Sequence, residues 1–291
     1  MATITAPYEV RRLHLGAKHA LRRAAFILIN TMLVVSALFP FYWILATSMK
    51  TTNELNAGTT GIFPAHLTFQ AYHQIFSELD FAQPLLNSVI VATSTMIVTV
   101  VLATFASYAL ARLDIRGRGV VLGFVLLAGF FPILAMVGPL FLVYRHIGLL
   151  NSYPGLVFAY LIYTLPLSVW LLTNYFRQIP KELDEAAMVD GASRLQVLRR
   201  VIAPVAAPSI FTAGIISFIL AWNDFTFALC FESNPHYYTA PLAIVNLGQS
   251  QFQIFYNQID AAVVVVTLPV ALIVLVAQRR IMSGLTAGAI K

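Results

Sequence analysis

Six long stretches without a charged side chain dominate this 291-residue chain: 24–47, 85–111, 119–144, 155–176, 201–222 and 261–278. A helix rising 1.5 Å per residue needs about 20 mostly apolar residues to cross ~30 Å of hydrocarbon. All six are close to that length; Ile259 and Ile281 extend the apolar character of the last. Backbone polar groups find no water inside a bilayer, so such stretches must bond internally as helices. With 59% hydrophobic and 10% charged residues, the chain lies far from soluble domains, which carry about 25% charged residues. An ordinary cytoplasmic enzyme, a disordered chain and a nucleic-acid binder are excluded. The expected fold class is an all-α integral membrane protein with six transmembrane helices.

The cations orient it. Sixteen of the 18 Lys and Arg residues fall in alternate segments: the N-terminus, 112–118, 177–200 and the C-terminus. The intervening segments hold Lys50 and Arg145 alone. Positive charge accumulates on the cytoplasmic side, so both termini are expected there. A cleaved signal peptide is the competing reading of the first span, after Arg22 and Arg23. Its apolar run is too long, and no clear small-x-small cleavage site follows it before Lys50. The single cysteine, Cys230, excludes an intramolecular disulfide or a thiolate metal cage. No histidine pair has metal-ligand spacing; His66 and His73 read as surface residues. Pro40, Pro132, Pro139, Pro166, Pro208 and Pro269 lie within spans and are expected to kink them.

The segment between the fourth and fifth spans is too long for a plain connector. Pro180 fits a first helical residue, and Glu182, Asp184 and Glu185 suit the positive end of a helix dipole. Asp190-Gly191 is a turn signal. Ser193 and Gln196 have capping-box spacing, and Leu195, Leu198 and Ile202 supply an apolar stripe. A helix, a turn and a second helix are expected. Small Ala186 and Ala187 let another protein approach the backbone, while an amphipathic connector on the lipid surface accounts for the pattern equally well.

Glu185-Ala186-Ala187, three residues, Gly191, then Val201 and Pro204 resemble the EAA loop of ATP-binding-cassette importer permeases. Val201 and Ala203 depart from that pattern's Ile and Leu but stay apolar. Tyr108-Ala109-Leu110-Ala111-Arg112 with Gly117-Arg118, Trp222-Asn223-Asp224-Phe225, and Gly284 to Lys291 resemble the maltose-permease-like branch of carbohydrate importers. Residues 1–20 carry none of these motifs.

The resemblance implies the permease subunit of an importer in a bacterial cytoplasmic (inner) membrane. Its implied partners are a second, homologous permease, two ATPase subunits, an extracytoplasmic solute-binding protein, a carbohydrate substrate and membrane lipid. ATP and Mg2+ belong to the ATPases, with no cofactor or metal in this chain. The sequence agrees in lacking a G-x-x-x-x-G-K-[ST] loop. Glu185, Ala186, Ala187, Asp190, Gly191 and Pro204 form the implied ATPase-coupling loop. Gly284, Thr286, Gly288 and Lys291 form an implied second ATPase contact. The domains implied are a basic cytoplasmic tail at 1–23, a permease domain at 24–278 with its coupling loop at about 177–204, and a docking tail at 279–291.

Trp222, Asn223, Asp224 and Tyr163 are path candidates, because an aromatic face beside amide and carboxylate groups suits a sugar. An interfacial aromatic belt and a solvated helix end explain the same residues. Tyr160, Thr164 and Asn174 are weaker candidates, since polar groups there also join helices. The segments 48–84 and 223–258 read as surfaces for the binding protein. The alternative function is an ion-coupled secondary carrier for a small polar solute. Such a carrier needs acidic groups within its spans, whereas Asp224 and Asp260 lie at span edges.

Overall fold

Helices with no water to bond to must satisfy their own backbones, and the computed structural model follows that rule throughout. It describes residues 8–57, 61–247 and 254–286, with side chains between 22 and 278, and every regular element among them is a helix. Helix α1 (Tyr8–Ser48) carries the first apolar stretch. Its residues 22–41 are all exposed; it packs mainly on the final helix, and near its end Tyr42 donates to the Ile62 carbonyl and Ser48 meets the Tyr72 hydroxyl of a later short helix. Short helices α2 (Thr52–Asn56) and α3 (Gln70–Ser77) follow. Beside them Lys50 is buried; its ammonium donates to the Gly61 carbonyl at 2.7 Å and lies 5.2 Å from the Trp43 ring centre.

Helix α4 (Ala82–Arg112) spans the full bundle. Helices α5 (Arg118–Gly129) and α6 (Ile133–Ile147) meet at 88°, and α7 (Tyr153–Gln178) returns. At its end lie α8 (Glu182–Val189), α9 (Arg194–Val197), a π-helical turn at Leu198–Ile202, and α10 (Ala203–Val205). That arm meets α11 (Ala207–Trp222) at 81°. Helices α12 (Thr226–Phe231) and α13 (Ala240–Asn246) lead to α14 (Tyr256–Thr286).

Among the described residues four helices are individually long and apolar enough to cross a bilayer, and the two bent pairs raise this to six if each is one span. Two expected spans are therefore not straight rods. The third, 119–144, breaks at Phe130–Pro132. Proline lacks the N–H that would continue the ladder and pushes Phe131 out of helical geometry. The fifth, 201–222, breaks at Ala206, so residues 201–205 belong to the inner arm. Pro208 lies in the first turn of α11, where its missing N–H is harmless. Pro40, Pro139, Pro166 and Pro269 remain inside helices.

The heart of the bundle is α4 against α7, with α11 packed on both. Lipid supplies no hydrophobic drive for helices to associate, so close packing and interhelical hydrogen bonds must do it. Thr99 and Thr164 hydroxyls lie 2.9 Å apart, Ser107 donates to the Val169 carbonyl at 2.9 Å, and Ser168 meets Ser217 at 3.0 Å. Small side chains permit that proximity. Gly129 makes the close approach of α5 to α7: a Cβ there would lie 2.9 Å from Pro166 Cβ.

Candidate coupling and translocation site

Local chemistry builds α8 and α9 as a preformed lever. Ile179, preceding a proline, is extended (φ −70°, ψ 131°). The chain then needs Lys181 to turn into the helix, so Pro180 lies before α8 and is not its first residue. The Lys181 carbonyl accepts from the Asp184 and Glu185 amides at 2.9 and 3.1 Å. Gly191 ends the helix at φ +82°, a left-handed conformation that disfavours any Cβ. Its amide donates to Met188, and the Ala192 amide donates to Ala187. Ser193 and Gln196 complete the capping box in both directions, at 2.7 and 3.4 Å. The buried stripe differs from expectation. Val197, Leu198 and Ile202 face inward while Leu195, in the first turn of α9, is 46% exposed.

The lever has a core of its own. Val197, Leu198 and Ile202 pack with Tyr108 and Ala111 of α4 and Phe176 and Ile179 at the end of α7. Glu185, Ala186 and Asp190 are left exposed, Ala187 is half-buried, and Pro204 lies in α10. Two features escaped the sequence reading. The lever's tip is apolar, with Val189 88% exposed beside exposed Met188. Asp184, read only as a dipole partner, is buried and pairs with Arg112 of α4 at 3.3 Å. Gly284 and Thr286 continue α14 as helix, so the expected docking tail does not begin at residue 279 as a separate element. Gly288 and Lys291 lie outside the described residues.

The path candidates divide. Tyr163, Asn223 and Asp224 line a cavity of about 580 Å³ with Leu126, Gly129 and Pro166, where the α5–α6 bend meets α7 and the end of α11. One Asp224 carboxylate oxygen accepts from the Phe227 and Ala228 amides at 3.1 and 3.4 Å, and Asn223 donates to the Ile219 carbonyl at 2.8 Å. The Tyr163 hydroxyl is buried without a hydrogen-bond partner. Trp222 is not with them. It is 1% exposed, stacks on Phe218 and donates its indole N–H to the Val266 carbonyl at 3.2 Å. Its face is taken up by Phe218 and its N–H edge by α14. Thr164 is committed to Thr99 and to the Tyr160 carbonyl, a helix-joining role, and Tyr160 is fully buried. Asn174 is half-buried near the lever end of α7.

At the end of the bundle opposite the lever, two asparagines staple segment 223–258 down. Buried Asn87 donates to the His236 and Tyr238 carbonyls at 2.7 and 2.9 Å and accepts from Tyr153 and Gln83. The Asn151 side-chain oxygen accepts from the Ser233 and Asn234 amides at 2.7 and 2.8 Å. Glu232 is buried beside that knot, and desolvation raises its carboxyl to about 8. A second cavity of about 870 Å³ opens there, lined by Gln74, Glu78, Asp80, Gln83, His236 and Tyr238 among others.

The described residues thus form an apolar helical bundle with an exposed helix-turn-helix arm at one end. The comparisons are specific. Residues 100–284 match the family model of the binding-protein-dependent transport system inner membrane component, and the chain belongs to that family. The trehalose transport system permease SugB of Mycobacterium tuberculosis is 41% identical, over 93% of this chain and 98% of its own. The sulfoquinovosyl glycerol transport system permease SmoH of Agrobacterium fabrum is 40% identical, over 90% and 91%. The trehalose/maltose permease MalG of Thermococcus litoralis is 36% identical, over 94% and 99%. A crystal structure of a bacterial ABC transporter that imports the acidic polysaccharide alginate shares the fold, with TM-score 0.76 at 23% identity, covering 95% of this chain and 99% of that one. The chain is thus a translocation subunit, and ATP hydrolysis belongs to separate ATPase subunits.

Proposed function

We propose that this chain is one of two permease subunits through which a carbohydrate is imported across a bacterial inner membrane. In this reading it has six spans, with both bent pairs crossing and both termini in the cytoplasm. The observation that carries it is the preformed lever. Glu185 and Ala186 stand exposed on α8, held by the left-handed Gly191 turn, where an ATPase cleft receives them. Pro204 belongs to the arm that joins the lever to α11, and the C-terminal residues Gly284 to Lys291 make a second ATPase contact.

Relatives named for trehalose and maltose transport support a carbohydrate substrate. The cavity chemistry agrees: Tyr163 offers a ring, and Asn223 and Asp224 offer groups for hydroxyls. The polar cleft at the opposite end suits a solute-binding protein. Purification of the complex with its ATPases and binding protein, followed by reconstitution in vesicles, tests this. ATP-dependent sugar uptake is expected. Sugar accumulation against a gradient by the chain alone would overturn it.

A further inference from the structure

Helix α8 is poorly anchored for an element that must transmit force. Along it only Asp184 is buried and only Ala187 is half-buried, with every other side chain exposed. Its first half therefore has no apolar grip on the bundle. Its tie is ionic: Asp184 lies 3.3 Å from Arg112 Nε, and the two side chains are 10% and 4% exposed. The same guanidinium reaches further. Arg112 Nη2 donates to the Ile179 carbonyl at 2.7 Å, in the link where α7 gives way to α8. One planar group at the last turn of α4 thus holds the lever and its root together. Five donors at fixed angles make this feasible for arginine, whereas lysine presents a single point charge.

We propose that Arg112 is a positioning residue for energy coupling: with Asp184 and the Ile179 carbonyl it forms the joint that makes α8 move as one piece with α4 and α7. The proposal rests on the coupling role of α8 given above. Without the joint, the lever still docks through its exposed face, which Arg112 does not touch. It then rocks on the small contact at Ala187, and ATPase closure is absorbed at the lever root before it reaches the spans.

The test uses the complete complex with its ATPases and binding protein. It measures copurified ATPase, ATP hydrolysis, and sugar taken up per ATP hydrolysed in vesicles. For Arg112→Lys and Asp184→Asn, assembly and hydrolysis are expected to persist. Uptake per ATP is expected to fall roughly tenfold, the scale of about 1.4 kcal/mol lost from the joint. A residue serving only stability would lower all three together, and an unchanged ratio overturns the proposal. Should Asp184→Asn fail to assemble, Arg112→Lys decides, because it keeps the charge. Glu185→Lys separates the two readings: if it docks and transports normally, the coupling role of α8 itself falls. If it alone fails while Arg112→Lys keeps its ratio, only the joint is refuted.

Discussion

Adding one methyl group at Gly129 tests the seam on which the cavity beside Tyr163 and Asp224 rests. The new Cβ would stand 2.9 Å from Pro166 Cβ, against about 3.5–4.0 Å for relaxed carbon contacts. Pro166 lies inside α7, and its ring cannot rotate away, so α5 must retreat by roughly half an ångström or more. Overpacking of this kind costs about 1–3 kcal/mol. As the last residue of α5, position 129 regains little of the ~1 kcal/mol that alanine gains over glycine in a helix interior. Gly123 is the matched control on the same helix: nothing lies within 4 Å of a Cβ there, so Gly123→Ala should be neutral or stabilising. The assay is thermal unfolding of the purified complex, with vesicle uptake alongside. Gly129→Ala should melt several degrees lower and transport more slowly, because Gly129 and Pro166 both line the cavity. Melting at or above the parent temperature would refute the idea that α5 and α7 are in hard contact.

Glu185→Lys reverses an exposed charge on the lever, and Gly191→Pro cannot adopt φ +82°; both should abolish uptake with membrane insertion intact, and uptake with bound ATPase would remove the docking role. Trp222→Ala should cost about 3–5 kcal/mol of stability and Trp222→Phe less, with sugar preference unchanged; altered preference at unchanged stability would return the indole to the path. For Glu232, the folded carboxyl at about 8 stands above its ordinary 4.5, so the folded state binds the extra proton and loses stability as pH rises through that interval. Glu232→Gln should therefore melt increasingly above the parent from pH 4.5 to 8, and a constant difference across pH would contradict this.

Legibility in the sequence followed the range of the interaction. The capping box at Ser193 and the turn at Asp190-Gly191 are local devices, and the spans announce themselves by composition. Kinks were expected at six prolines, but not which two would break a span outright, because a proline kinks, ends or merely joins a helix according to its neighbours. Pro132 and Pro208 stand at helix ends, while Pro166 lies within α7 and packs on Gly129. Trp222 looked available for a sugar because its partner, the Val266 carbonyl, lies on another helix. Arg112 and Asp184 were each assigned a local purpose, and nothing near either in sequence signals the other. Asn87 had no flag at all, yet it gathers four hydrogen bonds.

The asparagine staples fix what kind of motion the bundle permits. A rod pinned near one tip and pushed at the other can swing but cannot slide. Over the 26 residues of α7, or roughly 39 Å of helix, a tilt of ~10° carries the free tip about 7 Å while the pinned tip hardly moves. With the push at the lever, as proposed above, travel therefore grows steadily toward that end of the bundle.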